Sequence, residues 1–171
     1  MEHLFNLIGI IIMRKFKIFI LCVFIFPTLI FCSDIGGAPK HSEIIGFWKM
    51  VNNKNLENKN KVNPWPLPYQ WFAFYKNGDF YSMMSSKDEN LSINDLEETF
   101  SILKKEAPTY NLKGQFISIK YPNLKNSYQL WGINIFRKDI NKNIKKGDLV
   151  MSLARAKDGK AIYYRLMRKI K

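Results

Sequence analysis

The stretch EIIGFWKMV, Glu43 to Val51, decides the fold, because it is the first run that reads as folded protein. Gly46, Phe47 and Trp48 set a glycine and two large aromatics among residues that favour strands. The pattern predicts a bulky strand over 43–51. Whether that strand opens a barrel depends on the number and order of its successors.

Those successors are strand after strand. In YQWFAFYKNGDFYSMM, residues 69–84, two aromatic runs flank Asn77-Gly78. Asn-Gly supplies the positive φ angles of a type I′ turn, so these residues predict a hairpin. QFISIKY (115–121) alternates, SYQLWGINIF (127–136) is a long run with Gly132 inside it, and LVMSLARA and AIYYRLMRKI complete the series. The strand candidates are 43–51, 69–76, 79–85, 108–112, 115–121, 127–136, 148–155 and 161–169. Between the third and fourth, SINDLEETFSILKKEAP predicts one amphipathic helix. Asn94 and Glu97 form its capping box, Leu96, Phe100 and Leu103 its apolar face, and Lys104 and Lys105 its last turn before Pro108. Short connections favour an antiparallel meander. Eight such strands can close into a barrel wide enough for side chains or one small ligand, and closure removes the sheet edges. The expected fold class is therefore mainly β: a single eight-stranded antiparallel up-and-down barrel with one helix between strands three and four.

Two segments lie outside this pattern. Residues 1–32 read as a signal peptide, with Arg14, Lys15 and Lys17 before an apolar run from Ile18 to Phe31, and Met13 is a candidate start. That run is shorter than the roughly 20 residues a spanning helix needs. LIFC, ending at Cys32, resembles a lipobox but carries Phe31 where a small residue belongs, while Gly36 and Ala38 offer an ordinary cleavage site. Lipidation at Cys32 and release both stay open. Either implies export, to the periplasm or envelope. Residues 33–42 are a leader and 43–171 the domain. The second segment, NNKNLENKNKVNPWPLP (52–68), is a long loop whose prolines bar it from a central strand. Its Trp65 and Leu67 either plug one end of the core or contact a partner.

Composition removes most catalytic chemistry. Residues 1–32 hold three of the 27 basic and one of the 14 acidic residues, so the remainder carries a formal +11. They also hold both cysteines, Cys22 and Cys32, and only His41 remains after them. A cysteine nucleophile, a Cys/His zinc site and a Ser-His-Asp triad are thus excluded within the core. The aspartates fall in turns such as KNGD, KKGD and KDGK. The chain reads as no enzyme, with no cofactor and no metal site. Export argues against nucleic acid as the target of the positive charge; an anionic membrane surface or acidic glycans stay open as partners, beside lysines that only solvate the surface.

With Gly46-Phe47-Trp48 on the first strand and the order IIGFWKM, WFAFYKNGDFYSM, YNLKGQFISIKYP and GDLVMSLARAKDGKAIYYRLMRK, the chain resembles the lipocalins of the calycin superfamily, especially compact bacterial lipocalin-like domains. The resemblance implies that Gly46 and Trp48 close one barrel end, with Arg165 or Arg168 packed on the indole. The chain departs from the larger lipocalins in lacking disulfides and in the place of its helix. It also implies an exported protein that binds a small hydrophobic or amphipathic ligand, with Trp71, Phe72, Phe74, Tyr81, Met83, Tyr128 and Trp131 as candidate lining. Strand alternation lets only about half of these point inward. The alternative is an envelope protein–protein module, such as an inhibitor, immunity protein or assembly factor, with a solid core.

Overall fold

In a computed structural model the described residues are 35–51, 67–103, 107–122, 128–154 and 161–171. The expected signal peptide, Cys32, Trp65, Lys104 and Lys105 lie outside them. The elements are β1 (Gly36–Gly37), α1 (His41–Ile44), β2 (Gly46–Val51), β3 (Tyr69–Phe74), β4 (Phe80–Ser85), α2 (Ile93–Ser101), β5 (Thr109–Lys113), β6 (Phe116–Lys120), β7 (Tyr128–Phe136), β8 (Leu149–Ala154) and β9 (Ala161–Lys169).

The strands form one antiparallel sheet in the order β4-β3-β2-β9-β8-β7-β6-β5, with β1 added alongside β7. Most neighbours in sequence are neighbours in space. The exceptions are β4 and β5, at opposite ends of that order, and β1, while β2, the first long strand, pairs with the last, β9. The sheet curls into a half-barrel of eight up-and-down strands. Its two outer strands, β4 and β5, meet at one bridge between Asp79 and Thr109, flanked by Phe80 N–H to Pro108 O (2.8 Å) and Tyr110 N–H to Gly78 O (2.8 Å).

Alternation sends one side chain in two to each face. The concave face buries Trp48, Phe72, Phe74, Ile119, Trp131 and Met167, together with residues from every other long strand. On the convex face, Phe47, Trp71, Ala73 and Tyr81 form a second cluster under Leu96 and Phe100 of α2. Burying each of these two helix side chains stabilises the fold by about 2 kcal/mol.

Local details correct the sequence reading. The strand expected over 43–51 begins only at Gly46, because residues 41–44 form a helical turn. Glu43 turns back to accept from Lys40 N–H (2.7 Å), Ile44 is fully buried, and its carbonyl accepts from Trp48 Nε1 (2.8 Å). The hairpin holds three turn residues, not two. Gly78 N–H bonds Tyr75 O and Tyr75 N–H bonds Asp79 O, both at 3.0 Å, so Lys76-Asn77 are the turn centre and Gly78, at φ +92°, comes after it. This is a type I turn with a bulge. The cap of α2 is Ser92 rather than Asn94. Ser92 Oγ accepts from Asp95 N–H (3.2 Å) and Asp95 Oδ2 accepts from Ser92 N–H (2.7 Å). Leu103 lies beyond the helix end and is exposed.

Candidate functional site

One titratable side chain inside the curl demands explanation. Arg165 on β9 alternates inward with Tyr163 and Met167 and is only 3 % exposed. Its guanidinium carbon lies 4.6 Å from the Trp131 ring centre, 4.9 Å from Phe72 and 5.6 Å from Tyr163. Stacking on aromatic faces suits a planar, weakly hydrated cation. Burial pushes its pKa down to about 10, partly offset by the Tyr163 and Tyr121 phenols. It stays a cation at neutral pH.

Beside Arg165 is a cavity of about 20 Å³, roughly the size of one water molecule, lined by Gln70, Ser82, Tyr121 and Gln129 among others. Gln70 is 1 % exposed. Its Nε2 donates to Leu67 O (3.4 Å), whereas its Oε1 has no hydrogen-bond partner. Gln129 Oε1 accepts from Trp131 Nε1 (3.3 Å). The result is a polar, positively charged pocket with aromatic walls. A space of that size admits a single small polar atom beside Arg165, not a whole ligand.

The structure divides the expected ligand lining. Phe72, Phe74 and Trp131 face the interior. Trp71, Tyr81 and Met83 do not. Their strand positions have the opposite parity, and they pack on the convex face against the α2 cluster. Tyr128 is 65 % exposed on the outside of β7. Leu67 is half-buried beside the Arg165 pocket through its carbonyl bond to Gln70.

The expected partner of Trp48 is also corrected. The cation over its indole is Lys169, with Nζ 5.4 Å from the ring centre. Arg165 is occupied higher on β9, and Arg168 has the outward parity. Arg168 grips buried Asp148 with two bonds, Nε to Oδ1 at 2.9 Å and Nη2 to Oδ2 at 2.7 Å. Gly46 permits the Lys169 contact. Its φ is +121°, and a Cβ there would come within 2.9 Å of Lys169 Cε. Sequence reasoning missed Gln70, Asp148 and Lys169. Strand alternation puts Gln70 on one face with Phe72 and Phe74, and Lys169 with Tyr163 and Met167, but which face is inward is open in the sequence, since β3 carries aromatics on both.

His41 lies apart from the Arg165 pocket. Its ring stacks on Tyr110 at 5.6 Å, and Nε2 is 3.0 Å from the Tyr110 hydroxyl, which itself donates to Tyr75 O (2.9 Å). That chain ties α1, the hairpin turn and β5 together. Among the described residues no cluster of His, Cys, Asp or Glu could hold a metal, and no helix is long and apolar enough to cross a membrane. No protein-family model matches the chain, nor does any curated protein or solved structure.

Proposed function

We propose that this chain is an exported, non-catalytic, lipocalin-like binding protein whose pocket at Arg165 takes the anionic end of a small amphipathic ligand. The observation that carries this reading is a cation buried among Phe72, Trp131 and Tyr163 beside an unpaired Gln70 oxygen. Burying a guanidinium costs several kcal/mol that an apolar side chain of similar volume avoids. Its charge is therefore better explained by recognition than by packing.

A complete eight-stranded barrel is part of the proposal, and the strand registers support it. Following partners from β4 through β3, β2, β9, β8, β7, β6 and β5, then across the Asp79–Thr109 bridge, returns to β4 twelve residues from the start. A stagger of that size on eight strands corresponds to a strand tilt of about 45° and a radius of about 9 Å. A barrel of that size is wide enough for its own side chains or for one small ligand.

The cavity of about 20 Å³ favours a second reading, the protein–protein module with a solid core. One experiment separates the two. The full chain, purified as the expressing cell delivers it, is examined by native mass spectrometry and titrated with a fluorescent fatty-acid analogue, beside Arg165→Met. Under the ligand reading the analogue binds, and Arg165→Met weakens binding about tenfold or more, the loss of one charge-assisted hydrogen bond. A protein of bare mass, with equal and marginal analogue binding in both forms, leaves the solid-core module in its place.

A further inference from the structure

The loop RKDINKNIKKGD, Arg137 to Asp148, joins β7 to β8 at the end of the half-barrel opposite the Arg165 pocket. It carries five cations and two aspartates, and its shape is set from within. Asp139 accepts from Lys146 N–H (2.7 Å), Asn141 Oδ1 from the N–H groups of Asn143 and Ile144 (2.8 and 3.0 Å), and Asp148 from Lys145 N–H (2.8 Å). Arg168 fastens the loop to β9 through Asp148 and Asn143 O.

The acids at this end are already committed. Glu43 pairs with Arg137, Asp139 with Lys145 and Asp148 with Arg168. Among the described residues, no ion pair engages the exposed side chains of Lys138, Lys142 or Lys146. Between Lys138 and Lys142 stands Ile140, an apolar side chain 40 % exposed. Lys40 and Lys169 are exposed at the same end, brought there by α1 and β9. A fixed loop that offers cations around one exposed aliphatic group fits the headgroup boundary of an anionic bilayer. Nucleic acid and soluble polyanions would reward the charge but not Ile140.

We propose that the Arg137–Asp148 loop is a docking surface for anionic lipid, with Lys138, Lys142 and Lys146 supplying the charge and Ile140 the apolar contact. This does not depend on the ligand reading of the Arg165 pocket. The test is co-sedimentation of the full chain with vesicles of phosphatidylcholine alone and of phosphatidylcholine with phosphatidylglycerol. The expected result is a preference for anionic vesicles of about tenfold or more, lost in high salt. Lys138→Glu with Lys142→Glu should lower anionic-vesicle binding about thirtyfold or more, while thermal unfolding is unchanged. Ile140→Ser should lower it several-fold at unchanged salt dependence. Equal partition of the unmodified chain into both vesicle types overturns the proposal, whatever the variants do. So does an undiminished double variant, or binding to duplex DNA without any preference for anionic vesicles.

Discussion

At Gly46 a single hydrogen in place of a side chain lets Lys169 lie across the start of β2 and reach the Trp48 ring. Gly46→Ala should therefore destabilise the protein by about 1–3 kcal/mol, from positive φ and from the close approach together. Urea unfolding checks the total. Repeating the substitution in a Lys169→Ala background should recover the steric part and leave the backbone part. Gly-x-Trp was visible in the sequence, but the partner of Trp48 was not. Arg165, Arg168 and Lys169 are all basic residues near the end of β9, and only the Trp48–Lys169 register decides among them. The same applies to Asp148, which turn chemistry alone explained until the fold brought Arg168 to it.

The helix shows how local rules can be satisfied twice. Ser92-x-x-Asp95 and Asn94-x-x-Glu97 both meet the capping pattern, and α2 uses the first. Starting at Ile93 puts Leu96 and Phe100 over Tyr81 and Phe47, with Phe100 stacked on Tyr81 at 5.4 Å. Packing chose the cap. Ser92→Ala should cost about 1 kcal/mol and Asn94→Ala less than about half of that, as read by thermal unfolding of the two variants. The hairpin behaves likewise. Asn77-Gly78 marked its place, but Asn77 Oδ1 accepts from Asp79 N–H (3.1 Å), and the turn takes one residue more than the dipeptide suggested.

For the molecule as a whole, strand number and the up-and-down order were legible because each strand alternates and short turns separate most of them. The division of the aromatics into two cores was not, since parity counts from a starting point that the sequence leaves open. Charge adds a property of the entire fold. Arg137 beside Glu43 holds its carboxyl below the usual carboxylate range, Ser92 does so for Asp95, and bonds from Lys146 and Lys145 do so for Asp139. Each is more acidic folded than unfolded. Its contribution is complete above the unfolded carboxylate range and fades as pH falls through the lower folded value. Urea midpoints should therefore drop between about pH 5 and pH 2, and Glu43→Gln should flatten that fall. A midpoint in Glu43→Gln that falls as steeply as in the parent would remove Glu43 from this account. The pairing of β2 with β9 has a consequence in time. Trp48 has no Lys169 to meet until β9 has been synthesised, and without β9 the groups β4-β3-β2 and β8-β7-β6-β5 touch only at the Asp79–Thr109 bridge. During synthesis the eight-stranded order therefore cannot be completed before β9 is made, so its assembly depends on the pairing most distant in sequence, β2 with β9.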